Sequence, residues 1–169
     1  MSRTGSVGDF DYFRGGWQTQ QHKLVGKVGD PAAKWEDFPG QLCMQSYLEG
    51  AATVDELYFP TRHSSGLTLR TFDGKKRQWS IYWVSSTTGR LDPVPVVGGF
   101  QNDRGEFYAF DHVNGLPVKV RYLWIIKDHD HARWEQALSF DDHKWQTNWT
   151  ADFTRAAEKE VCPGGHPAR

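Results

Sequence analysis

Apolar and polar positions alternate along most of the chain, and few windows carry a period of 3.6. GLTLRTF (66–72), RQWSIYWV (77–84), VVGGF (96–100), EFYAFD (106–111), PVKVRYLWII (117–126), ARWEQALSF (132–140) and WQTNWTADFTR (145–155) each read as a strand bounded by Gly, Asp, Asn or Pro. Upstream, QTQQHKLVGK, QLCMQSYLEG and TVDELYFP supply three more. The pattern predicts about ten antiparallel strands joined mostly by short loops, with no helix long enough for a βαβ unit. In so small a domain, strands of this number close into an up-and-down barrel, which removes exposed edges.

Before the first strand stands FDYFRGGW (10–17), three rings and a tryptophan around two glycines. Lipocalin-like proteins carry Gly-x-Trp at the start of strand one, after a short helical turn that closes the barrel floor. Gly15-Gly16-Trp17 resembles that motif, with Asp9–Phe13 as the turn and Arg155 as the late basic residue that packs on the tryptophan. VDELYFP, GLTLRTFD, WSIYWV, GRLDPVPVVGGF, RWEQALSF and TNWTADFTR further resemble an uncharacterised family of bacterial lipocalin-like (calycin) proteins, over roughly residues 9 to 155. The resemblance implies a fold and no particular activity. The expected organisation is a flexible N-terminus (1–8), the barrel (9–155) and a flexible tail (156–169).

Strand parity then sorts the loops. If Trp17 lies at the floor, a tenth strand brings Arg155 down beside it, whereas nine would not. Turns 73–76, 101–104 and 127–131 fall at the floor, and loops 29–40, 60–65, 85–95, 111–116 and 140–144 at the mouth. Parity also sorts faces. Val118, Val120, Tyr122, Trp124 and Ile126 are expected inward, as are Leu67, Leu69, Trp79, Ile81 and Trp83. Tyr108 and Phe110 join them, with Trp134, Gln136 and Leu138. The last strand is ambiguous: register favours Asn148 and Thr150 inside, hydrophobicity favours Trp149 and Phe153, and a bulge decides. The candidate ligand-binding wall is Trp83, Tyr108, Tyr122, Trp124, Trp134, Gln136 and Asn148. Outside, Glu56 is expected to pair with Arg70, and Arg121 with Glu135. Were the parity inverted, Glu56, Arg70, Tyr82, Arg121 and Glu135 would line the interior instead.

Composition narrows the chemistry. The chain of 169 residues has eight Trp, and its net charge of −1 leaves no electrostatic footprint for nucleic acid or an anionic membrane. No apolar leader or membrane-spanning run is visible, and two cysteines are too few for a disulfide framework, so a reducing, cytoplasmic setting is expected. No cofactor is implied, and HExxH, Gly-x-Ser-x-Gly, P-loop and dinucleotide motifs are missing. His63, His112 and His143 fall in three mouth loops, with Asp111, Asp141 and Asp142 beside two of them. They are weak metal candidates, and His112, His143 and Asp111 are the catalytic candidates. His112 is the candidate for a lone histidine holding haem. His129 and His131 fall at a floor tip.

The leading expectation is a barrel that binds a small hydrophobic or aromatic molecule. The rival is an isomerase, cyclase or lyase using the same cavity with a His/Asp or buried Glu/Arg acid–base group. A filled barrel acting through its surface, with homodimerisation along strand faces, is the third.

Overall fold

The computed structural model describes residues 3–113 and 115–169. Ten strands, β1 (Gly15–Val25), β2 (Lys34–Tyr47), β3 (Ala52–Phe59), β4 (Ser64–Asp73), β5 (Gln78–Ser85), β6 (Val96–Gln101), β7 (Arg104–Val113), β8 (Leu116–Ile126), β9 (His131–Ser139) and β10 (Gln146–Ala156), form a closed antiparallel barrel. Each strand pairs with its sequence neighbours, and β1 pairs with β10 to close the ring. The up-and-down barrel topology expected from alternation is the one observed.

FDYFRGGW plugs the floor. Asp11–Phe13 forms a 3₁₀ turn, and Phe10, Phe13 and Trp17 are buried. Phe10 packs edge-on against Trp79 and Phe100 at ring-centroid distances of 5.1 and 5.2 Å. The indole Nε1 of Trp17 donates to the Phe13 carbonyl at 2.9 Å, fixing the turn to the strand that follows. The two glycines have separate reasons. Gly15 has φ of +91°, where a side chain would be strained, and a Cβ on Gly16 would stand 3.1 Å from the Cys162 sulfur. Trp17 pairs with Arg155 across the closing seam, and the guanidinium lies 4.2 Å from the indole ring.

That C-terminal segment, expected as a flexible tail, packs on the outside of the barrel. A short helix α1 (Glu158–Val161) crosses β1 and β2, Val161 and Cys162 are buried, and Cys162 is disulfide-bonded to Cys43 of β2. The bridge departs from the expectation drawn from two cysteines in a reducing setting. Farther on, Arg169 donates to Glu56 at 2.5 Å. At the other terminus, residues 3–8 also lie against the wall. The Gly5 N–H donates to the Arg77 carbonyl at 2.8 Å, the Ser6 carbonyl accepts from Trp79 Nε1 at 3.0 Å, and Arg3 pairs with Glu106 at 2.9 Å. Residues 1 and 2 of the expected flexible N-terminus lie outside the described residues.

Register decides which residues face inward, and it corrects two strands. Asp73 pairs with Gln78, so an even number of loop residues joins β4 to β5 and facing partners sum to an odd number. Arg70 therefore faces the same side as Ile81, and Thr68 the same side as Trp83. Leu67 and Leu69, expected inside, point outward, and Leu67 is 40% exposed while Arg70 is 2% exposed. The same rule acts on β7, where Phe107 pairs with inward Tyr122 and Tyr108 with outward Arg121. Phe107, Ala109 and Asp111 hence face in, and Tyr108 and Phe110, also expected inside, face out. The Tyr108 hydroxyl donates to Glu106 on the outer surface at 2.9 Å.

Candidate functional site

Above the aromatic plug the barrel is hollow. A cavity of about 530 Å³ reaches from Arg70, Asp55 and Trp124, just above the floor rings, to Gly26–Val28 and Asp92 in the mouth loops. Its walls are the rings of Trp83, Tyr122, Trp124, Trp134, Trp149 and Phe153. The Trp83 ring packs against Gly66, where a Cβ would come within 1.8 Å of it. Tyr122 and Trp134 meet edge-to-face at 5.0 Å, and Trp134 and Trp149 at 5.5 Å, so the rings brace one another rather than collapse into the space.

Of the expected wall, Trp83, Tyr122, Trp124, Trp134, Gln136 and Asn148 line the cavity, and Tyr108 does not. The last strand takes both of its alternatives. A bulge between Thr147 and Trp149 breaks the alternation, so Asn148 and Trp149 both reach the cavity, followed by Ala151 and Phe153. Thr150 is left on the other face. Gln136 Nε2 donates to Asn148 Oδ1 at 3.2 Å, and Trp149 Nε1 donates to Gln21 Oε1 at 2.9 Å. Gln21 in turn donates from Nε2 to Thr19 at 2.8 Å. The polar points of the upper wall are thus held by one another. Beside them, Lys23 projects its ammonium over the Trp149 ring at 3.6 Å. Burial, with the Arg62 charge nearby, lowers its pKa below the ordinary lysine value.

The inverted-parity set divides. Arg70 alone among Glu56, Arg70, Tyr82, Arg121 and Glu135 lines the cavity. Its guanidinium donates to Asp55, and it stands 4.8 Å from the Phe10 ring. Neither expected surface pair forms: Glu56 bonds Arg169, Glu135 bonds Arg133 at 2.7 Å, and Arg121 stacks on Trp145 at 4.6 Å. Asp55 was missed, although alternation held the signal. With Glu56 outside, its neighbour in the strand must point in.

Two carboxylates mark the mouth. Asp92, from the β5–β6 loop, and Asp111, from β7, both line the cavity. Burial and then the Asp111 charge push the Asp92 carboxyl above the ordinary aspartate value. Tyr122 below them is pushed far up, by burial first and then by the charges of Asp92 and Asp111, which favours its neutral phenol.

The histidine candidates do not meet. His63, His112 and His143 are exposed and none lines the cavity. His112 alternates away from inward Asp111, whose Oδ1 accepts the His112 backbone N–H at 2.7 Å. His143 sits in a loop tied by Asp141, which accepts the backbone N–H groups of His143 and Lys144 at 2.9 and 2.7 Å. His129 and His131 pair with Asp130 and Asp128 at the floor tip. Among the described residues no three His, Cys, Asp or Glu side chains are grouped to hold a metal ion. No described helix is long and apolar enough to cross a membrane.

Comparison with known proteins bears on the fold. No family model matches the sequence, and no curated protein matches it. Among solved structures, a redesigned β-barrel is 11% identical with a TM-score of 0.48, covering 91% of this chain and 100% of its own. An S-type phycobiliprotein lyase of Guillardia theta is 9% identical with a TM-score of 0.51, covering 88% of this chain and 90% of its own. The likeness to the lyase is one of fold, over most of both chains.

Proposed function

We propose that the barrel binds a small aromatic or hydrophobic molecule entering through its mouth. One observation carries this reading: a cavity of about 530 Å³, walled by tryptophan and tyrosine rings, persists above a floor that is already packed solid. Its volume falls in the usual range for small-molecule sites, and apolar walls with a few placed polar groups are what such sites share. The barrel likeness to a phycobiliprotein lyase agrees with a ligand-handling use, although at 9% identity it speaks to fold alone. Membership in the bacterial lipocalin-like family belongs to the same proposal, and the cytoplasmic setting expected from the sequence is left out of it. The Cys43–Cys162 bridge weighs against a reducing compartment.

A catalytic use, as an isomerase, cyclase or lyase, moves its proton-transfer group from the histidines to Asp92. That is the cavity carboxyl held above its ordinary pKa. The experiment common to both uses is native mass spectrometry of protein purified from its own host, set against the denatured mass. A retained small molecule of a few hundred daltons supports the binding barrel. A bare native mass, together with no quenching of tryptophan fluorescence by naphthalene, rejects it.

A further inference from the structure

The lower end of the cavity holds polar atoms that the protein itself does not satisfy. Asp55 and Arg70 are 1% and 2% exposed, Trp124 is 5% exposed, and all three line the cavity. Arg70 Nη1 bonds Asp55 Oδ2, yet Asp55 Oδ1, Arg70 Nε and Trp124 Nε1 each lack a hydrogen-bond partner among the described residues. The contrast with the upper wall is sharp, since Gln21, Trp149, Gln136 and Asn148 bond one another there. Buried polar atoms are nearly always paired, and three orphans carried by residues that line one cavity end mark a place where a bound group completes the set.

The inventory of the orphans defines that group. Two are N–H donors and one is a carboxylate oxygen, and the ion pair as a whole carries no net charge. A ligand carboxylate has no proton for Asp55 and would add a third charge beside a balanced pair. A plain hydrocarbon would leave all three atoms unsatisfied. A neutral edge with an acceptor and a donor side by side fits: its carbonyl accepts from Trp124 and Arg70, and its N–H donates to Asp55. Resting on the ligand-binding reading above, we infer that the cavity floor is a recognition subsite for a neutral lactam- or amide-type edge on an aromatic ligand. The ligand enters head first, with its ring system against Trp83, Tyr122 and Trp134.

The test uses the full chain and three probes of similar size in equilibrium dialysis: 2-quinolone, naphthalene and 2-naphthoate. The expected order is 2-quinolone tightest, by roughly ten- to hundredfold over naphthalene, and 2-naphthoate weakest. Trp124→Phe, which keeps a ring and deletes the N–H, lowers the quinolone preference about fivefold and leaves naphthalene binding within about twofold. Asp55→Asn gives an independent readout, because it unbalances Arg70 and should strengthen 2-naphthoate binding while weakening 2-quinolone. Equal binding of all three probes means that the floor atoms are satisfied by water, and it overturns the subsite but not the binding barrel. A quinolone preference unchanged in both variants places the head group elsewhere and likewise overturns it. Binding of none of the probes rejects the binding barrel and the subsite with it.

Discussion

Arg70 on β4 and Asp55 on β3 form an ion pair inside the barrel, with both side chains almost wholly removed from water. Neither is opposed to the other in the strand register, since Asp55 pairs with Thr68 and Arg70 with Thr53. The pair is diagonal, reached by the length of the arginine stem, and it lies directly above the Phe10 ring. Charges buried in this way make the floor of the cavity sensitive to the loss of either partner.

Arg70→Ala should therefore destabilise the fold by about 3–5 kcal/mol, because it strands the Asp55 carboxylate without its cation. The double replacement Arg70→Met with Asp55→Leu should recover most of that loss, since an apolar pair of similar volume removes both charges together. Urea unfolding of the three proteins reads this out. A single variant within about 1 kcal/mol of wild type would mean that the carboxylate is solvated and that the pair is not sealed from water.

At the closed end, Arg155 does more than stack on Trp17. Its Nη2 donates to the Tyr12 carbonyl at 2.8 Å and its Nη1 to the Arg14 carbonyl at 3.3 Å, so the guanidinium ties the plug to the last strand. Removing it in Arg155→Ala should cost about 1–3 kcal/mol, from cation–π contact and hydrogen bonds together. Arg155→Lys keeps the charge but not the fork, and should recover less than half. Thermal unfolding of both variants checks it, and a lysine variant as stable as wild type would reduce the contact to charge alone.

The ten strands, the plug and the Trp17–Arg155 meeting were all legible in the sequence, because alternation and strand count are properties of the chain itself. The interior of β4 and β7 was not. Leu67 and Leu69 looked like core beside Trp79 and Trp83, and only the even loop between Asp73 and Gln78 reverses them. One residue of loop length flips every side chain on a strand, and hydrophobicity is a poor guide where polar groups are buried for a site. Asn148 and Trp149 illustrate a second limit, since a bulge satisfied both competing signals. The Cys43–Cys162 bridge shows a third, because two cysteines 119 residues apart carry no spacing signal for pairing.

The mouth carboxylates predict a pH dependence with a definite sign. Asp92 is held above its unfolded value by burial and by Asp111, so its ionised form opposes folding. That opposition is fully present above the folded pKa and fades as pH falls toward the ordinary aspartate value near about 3.9. Asp92→Asn should therefore be more stable than wild type at pH 8, with the advantage shrinking toward pH 4. Urea midpoints across this range decide the matter, and an advantage independent of pH would assign the effect to packing rather than to ionisation.

The bridge between Cys43 and Cys162 fixes a segment that the barrel does not need for closure, since β1 already pairs with β10 from Gly16 to Lys23. Its loss should therefore separate two effects. Because the bond closes a long loop, replacing both cysteines by alanine should lower stability by about 2–4 kcal/mol through the unfolded chain. In the native state only α1 and the residues after it should loosen, exposing Gly16 and the outer face of β1 and β2, where Val161 now packs. Hydrogen exchange would then show faster exchange for the Glu160, Val161 and Cys162 amides, which donate to Ala157 and Glu158 carbonyls, with the barrel amides still protected. Probe binding in the cavity should be unchanged, because the bridge lies on the opposite side of the wall. Faster exchange across β1 and β10 would instead mean that the C-terminal clasp helps to hold the barrel closed.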